Sequence, residues 1–170
     1  IALMRHIPAC DQAVKDGRWA APTGRELHGK TLGIVGLGRV GSHVARIANA
    51  FGMRVVSWSR SGDPAAAAAA GATSVELDEL LQTADVVSVH ATLSPESRGL
   101  LDARRLGLMK PSAVLINTAR GPIVEETALV NALAEGRIAG AALDVFDTEP
   151  LPADHPLTKL PNVLLTPHIG

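Results

Sequence analysis

Lys30-Thr31-Leu32-Gly33-Ile34-Val35-Gly36-Leu37-Gly38-Arg39-Val40-Gly41 is the stretch that decides the fold. An apolar strand, Leu32 to Val35, runs into a glycine turn. A helical run over 40–51 follows, with apolar residues at Val40, Val44, Ile47, Ala48 and Phe51. The glycines fall as G-x-G-x-x-G at Gly36, Gly38 and Gly41. Gly36 permits the tight turn, Gly38 removes a side chain where a pyrophosphate approaches, and Gly41 lets the helix pack close to the sheet. The helix then presents free N–H groups and its positive dipole end to phosphates. A bare G-x-G-x-x-G also occurs in ordinary glycine-rich corners. The strand before it and the helix after it make this one a dinucleotide-binding turn.

Around this turn, strands and helices alternate. Strands are read at 54–58, 73–75, 85–90, 113–117, 139–145 and 163–165, besides the first at 31–36. Helices are read at 64–70, 77–81 and 125–135, with helical pieces over 96–108. The alanine run Ala65 to Ala70 reads as a short surface helix. Residues 1–18 have helical spacing, but Pro8 should kink or delay that helix. Alternation of this kind predicts an α/β Rossmann-type doubly wound parallel sheet of about seven strands, with helices on both faces.

Composition agrees with that fold. Of the 170 residues, 46% are hydrophobic but only 2% aromatic, so Ala, Val, Leu and Ile must build the core. Such a core suits a parallel sheet covered on both faces. The net charge of −1 and the scarcity of aromatics give no basis for nucleic acid as a partner, nor for an anionic membrane. Cys10 is the single cysteine and reads as a helix residue; no Cys/His cluster has zinc spacing, so no metal is expected. No signal peptide and no long apolar run are found, which leads to the expectation of a cytoplasmic protein.

Ligands of such sheets bind beyond the carboxyl ends of the strands. The second strand ends at Trp58-Ser59-Arg60-Ser61, without the carboxylate that commonly accepts from an NAD ribose. Ser59 and Arg60 could instead hydrogen-bond and neutralise a 2′-phosphate, which favours NADP over NAD. The plainer alternative for Arg60 is a surface arginine, or one stacked on adenine. Three further residues carry chemistry. His168 suits proton donation to a developing alkoxide. Arg120 offers a planar fork matched to a carboxylate. Glu149 could hold the second imidazole nitrogen and keep the acid form available. Taken singly, each has an ordinary reading as a surface or structural residue; their shared sheet edge carries the argument. His90 reads as a structural hydrogen-bonding residue, and His28, His43 and His155 as loop or helix-surface residues.

The segments Gly33 to Gly41, Asp85 to His90, Asn117 to Gly121, Ala141 to Phe146 with Glu149-Pro150, and Thr166 to Gly170 together resemble the cofactor-binding domain of the D-isomer-specific 2-hydroxyacid dehydrogenases. They occur in that family's order over nearly the whole chain. The resemblance implies that Arg120 binds the substrate carboxylate and carbonyl, that His168 is the acid/base and that Glu149 is its partner. It places Asp144 at the nicotinamide carboxamide, Arg39 and Val40 at the pyrophosphate, Ala91 and Thr118 along the cofactor, and Gly170 beside it. It departs from the family at Ser59, where many members have an acid, and at Thr92, where many have proline. Glu149 disfavours formate dehydrogenase activity, since those enzymes have glutamine there. The Trp-Ser-Arg turn is similar to the glyoxylate and hydroxypyruvate reductase branch, many of whose members use NADPH.

The implied function is hydride transfer between NAD(P)H and a small 2-keto acid or D-2-hydroxy acid. The alternative is a non-catalytic dinucleotide-sensing scaffold of the co-repressor type. The resemblance further implies that 1–170 is a dinucleotide-binding domain, with 1–24 as linking helix and loop, and that a discontinuous substrate domain lies outside this chain. Residues 1–170 alone are then expected to bind cofactor weakly and turn over poorly. A homodimer is implied, with the helix at 1–18 as a candidate contact.

Overall fold

The computed structural model describes residues 1–19 and 21–170. Seven parallel strands form one sheet in the order β3-β2-β1-β4-β5-β6-β7. They are β1 (Thr31–Val35), β2 (Arg54–Trp58), β3 (Thr73–Ser74), β4 (Val86–Val89), β5 (Val114–Asn117), β6 (Gly140–Leu143) and β7 (Val163–Leu165). The helices are α1 (Ile7–Lys15), α2 (Arg39–Ala50), α3 (Pro64–Ala69), α4 (Leu77–Thr83), α5 (Ala103–Leu106) and α6 (Glu126–Ala134). The doubly wound sheet anticipated from the alternation is therefore present, and its order reverses between β1 and β4. At that reversal the two crossovers leave to opposite sides and open a crevice at the strand ends.

Alternate residues of the central strands feed two cores, as the period of two requires. Leu32 and Ile34 of β1, with Val55, Val86 and Val114, pack against Ala45 and Ala48 of α2 and Ala67 and Ala70 at α3. Val35, Val87, Val89, Leu115 and Leu143 face the other way, against α4, α5 and α6. The strand centres have no wet face, which explains their unbroken apolar runs.

Several boundaries differ from the sequence reading. Pro8 delays the first helix rather than kinking it: α1 begins at Ile7, with Pro8 in its first turn. There the missing N–H costs nothing, since it would lack a helical partner anyway. Cys10 lies within α1. The helical pieces read over 96–108 shrink to α5, because Ser94 and Ser97 bond each other's backbone and hold a turn in place of a helix. The alanine helix is not a purely surface element, since Ala67 is buried beneath it. Asp63 caps it, accepting from Ala65 N–H (2.9 Å) and Ala66 N–H (3.2 Å). Among the described residues, no helix is long and apolar enough to cross a membrane.

A close contact between the layers joins α4 to β1. Leu80 is fully buried, and its Cδ2 lies 2.5 Å from where a Cβ on Gly33 would be. Leu80→Ala would open a void that neither Gly33 nor the rigid strand can fill. The expected loss is about 2–5 kcal/mol of folding stability in chemical denaturation.

Candidate active site

The β1–α2 turn is built by steric exclusion. Gly36 has φ +103, a conformation closed to most residues, and a Cβ there would lie within 3 Å of Ala91 N at the end of β4. Its N–H donates to the Trp58 carbonyl (2.8 Å), and His90 N–H donates to the Val35 carbonyl (2.7 Å). A Cβ on Gly41 would run into the Gly36 carbonyl, so α2 starts pressed against the turn. At Gly38 the situation is reversed: a Cβ would meet only open space. Gly38 is the N-cap of α2, no side chain caps the helix, and its first turn carries Arg39 and no acid. Free N–H groups and the positive end of the helix dipole thus face the crevice, and a pyrophosphate fits there.

The turn forms one wall of a cavity of about 490 Å³. Ser59, Arg60, Ser61, His90, Thr92 and Glu96 line it as well. Ser59 Oγ and Ser61 Oγ are 3.2 Å apart. Arg60 Nη1 lies 3.7 Å from Glu96 Oε2, both side chains exposed. Glu96 went unnoticed in the sequence; its only signal was an acid in a serine-rich turn. The Asp63 carboxylate is engaged as the α3 cap.

A second cavity, of about 420 Å³, takes in Val40, Ala91, Thr118 and Arg120. His90 borders both cavities. Its Nε2 lies 2.8 Å from Ser88 Oγ, and burial holds the ring below the ordinary imidazole range, so His90 is neutral near pH 7. Arg120 is presented by a self-bonded turn. Asn117 Nδ2 donates to the Arg120 carbonyl (3.0 Å) and Asn117 Oδ1 accepts from Ala119 N–H (3.1 Å). The Arg120 guanidinium is exposed and donates to the Ala119 carbonyl (2.6 Å). That leaves most of its donors for a ligand.

The remaining candidates meet past β6 and β7. His168 Nδ1 and Glu149 Oε2 are 2.7 Å apart. Glu149 Oε1 also accepts from Phe146 N–H (2.9 Å). The bond from His168, and then that from Phe146, hold the Glu149 carboxyl below the usual carboxylate range. Asp144, buried at the end of β6, gathers the other side of the segment. It accepts from Thr166 Oγ1, from Ile169 N–H (3.1 Å) and from Gly170 N–H (2.8 Å). These donors, Thr166 foremost, keep its carboxyl low. His168 sits between them at φ +54, in the left-handed region. The pair lines a largely apolar cavity of about 570 Å³ with Phe146, Leu151, Leu165 and Pro167.

The structure therefore joins Glu149 to His168, and Asp144 to Gly170, directly. Arg120 lines the neighbouring cavity without bonding to the pair. The bridge between the two regions is Thr118, whose Cβ lies 3.8 Å from the Cβ position of Gly170. Thr166 and Asn117 were not singled out as functional in the sequence, although Asn117 adjoins Thr118 and Thr166 lies two residues before His168. His155 lies in a loop, as read, but it is partly buried and bonded to Glu126. Among the described residues, no group of three His, Cys, Asp or Glu side chains is gathered as for a metal.

Comparison with known proteins extends these observations. Residues 1–170 match the family model described as D-isomer specific 2-hydroxyacid dehydrogenase, NAD binding domain. A glyoxylate reductase of Thermofilum pendens is 46% identical over 100% of this chain and 52% of its own length. A D-3-phosphoglycerate dehydrogenase of Bacillus subtilis is 47% identical over 99% of this chain and 32% of its own. The crystal structure of a glyoxylate reductase from Paecilomyes thermophila superposes with a TM-score of 0.91 at 38% identity, covering 99% of this chain and 52% of that one. The chain thus spans from about a third to about half the length of these relatives.

The Asp144 anchor has a pH sense. Its carboxyl is depressed on folding, so the stabilisation is complete above the ordinary carboxylate range and lost as pH falls through the lowered value. Asp144→Ala should leave the sheet amides protected and abolish exchange protection at Ile169 and Gly170, read by amide hydrogen exchange.

Proposed function

The chain belongs to the D-isomer-specific 2-hydroxyacid dehydrogenases, as their cofactor-binding domain, and on that premise we propose that the intact protein interconverts a small 2-keto acid and its D-2-hydroxy acid with NADP(H). The observation that carries this reading is the 2.7 Å contact between His168 Nδ1 and Glu149, past the carboxyl ends of β6 and β7, on the same edge of the parallel sheet as the glycine turn. When bound, the reduced cofactor supplies the hydride. The chain's own residues handle the proton and the carboxylate. Glu149 engages Nδ1, so Nε2 is the nitrogen left for substrate. As the carbonyl carbon is reduced, His168 Nε2–H gives its proton to the developing alkoxide, and Glu149 keeps the ring oriented. Arg120, with donors to spare, pairs with the substrate carboxylate. Asp144 fixes the segment that bears His168, in addition to the place at the nicotinamide carboxamide that the family resemblance implies.

The preference for NADP rests on the end of β2. Ser59, Arg60 and Ser61 line the crevice with two hydroxyls and a guanidinium, and the Asp63 carboxylate is occupied in capping α3. A 2′-phosphate finds a cation there. A substrate domain in the rest of the protein belongs to this reading, and the greater length of the relatives supports it. A cytoplasmic homodimer completes the reading, with the exposed Ile7 and Val14 of α1 as its candidate contact. No observation favours the dinucleotide-sensing scaffold.

In the intact protein, His168→Ala should abolish reduction across a panel of 2-keto acids while cofactor binding persists. A wild type inactive on every keto acid with both cofactors would refute the enzyme reading. Arg60→Ala should raise KM for NADPH about tenfold, the worth of a charge-assisted contact of ~1.4 kcal/mol, and leave KM for NADH nearly unchanged. A wild type that prefers NADH would overturn the cofactor assignment.

A further inference from the structure

Glu149 stands on a long connection. Residues 144–162 join β6 to β7, and their only helical element is a 3-10 turn at Pro156–Lys159. Loops of this length do not hold a side chain still by themselves. Glu149 is itself exposed and makes two bonds, to His168 and to Phe146 N–H.

Both flanks of the Glu149 segment converge on one carboxylate outside the acid–base pair. Glu126 lies in the first turn of α6, where the helix dipole favours an anion. Its Oε2 accepts from Asp147 N–H (3.3 Å) and its Oε1 meets His155 Nε2 (3.1 Å). His155 is fixed from its other side, where Nδ1 accepts from Leu157 N–H (3.3 Å). An accepting Nδ1 puts the ring proton on Nε2, aimed at Glu126. The two side chains are only 18% and 24% exposed, so the bond is shielded from water. Leu157 is buried and roots the 3-10 turn in the core. Gly121, next to Arg120, lies so close to the Phe146 backbone that a Cβ could not fit. Residues 147–155 thus form an arch with both feet on Glu126 and Glu149 in its span.

We propose that Glu126 and His155 are positioning residues: they hold the arch so that the Glu149 carboxylate stays on His168 Nδ1. The proposal rests on the acid–base reading of Glu149 and His168. The charged groups facing the arch are few. His168 and Asp144 act on Glu149. Asp147 faces Glu126, His155 and Arg98; burial and then Glu126 push its carboxyl up.

His155→Asn in the intact protein separates positioning from folding. Asparagine is a good N-cap and keeps a partner for Leu157 N–H, but it is too short to reach Glu126. The expected result is a kcat lower by about tenfold, as small misplacements at a catalytic group produce. KM for the keto acid and Kd for NADPH should hold within about twofold, because neither His155 nor Glu126 lines the cavities at the glycine turn, at Arg120 or at His168. The acid limb of the kcat profile should move to higher pH, since a Glu149 that drifts from His168 loses the bond that keeps its carboxyl low. In a Glu149→Gln background the same substitution should have no further effect. A lowered Tm with unchanged kcat and pH profile would overturn the proposal, as would a full loss of rate in the Glu149→Gln background. If Glu149→Gln alone leaves kcat unchanged, the acid–base reading falls and the positioning role with it. An enzyme sensitive to Glu149→Gln but indifferent to His155→Asn overturns the positioning role alone.

Discussion

The exclusion of a side chain at Gly36 is the constraint on which the rest depends. With nothing at Cβ, the turn closes against Ala91 and the end of β4, and α2 closes against the turn. Those two contacts bring the carboxyl ends of β1 and β4 together at the place where the sheet order reverses. The crevice is therefore a by-product of close packing rather than a hole left in it. The same packing leaves the first-turn N–H groups of α2 without intramolecular partners, so the fold arrives with an unmet demand for an anion.

On the other side of the crevice, carboxylates play the organising part that glycines play at the turn. Asp144, Glu149 and Glu126 each accept from more than one donor, and in each case at least one donor is a backbone N–H. Ionised oxygens attract several donors at once, and such bonds are stronger than neutral ones. They tie loops, which have no ladder of their own, to the ends of strands and to α6. A site built this way keeps its order only while those acids remain ionised.

Much of this was legible in the sequence, and the reasons differ by element. The sheet was legible because its central strands are buried on both faces and read as unbroken apolar runs. The turn was legible because its steric demand leaves glycine as the one workable residue at Gly36 and Gly41. Glu149, His168 and Arg120 could be singled out because chemistry restricts which side chains suit proton transfer and carboxylate binding, and the structure brings the first two together. The 96–108 region was misjudged because Ser94 and Ser97 satisfy the backbone locally, which no helical periodicity reveals. The bond of His155 to Glu126 was missed because its partner is 29 residues away and two elements earlier. Pairings of that range are a property of the fold, not of spacing.

His168 occupies a backbone conformation, φ +54, that glycine or asparagine would adopt at lower cost. At this position the demands of folding and of the proposed acid–base chemistry point to different amino acids. On the proposed acid–base role, a search for thermostable variants by folding alone would tend to replace the histidine and would return inert proteins that look improved. Residue 168 is thus where a trade between robustness and turnover is written into one torsion angle.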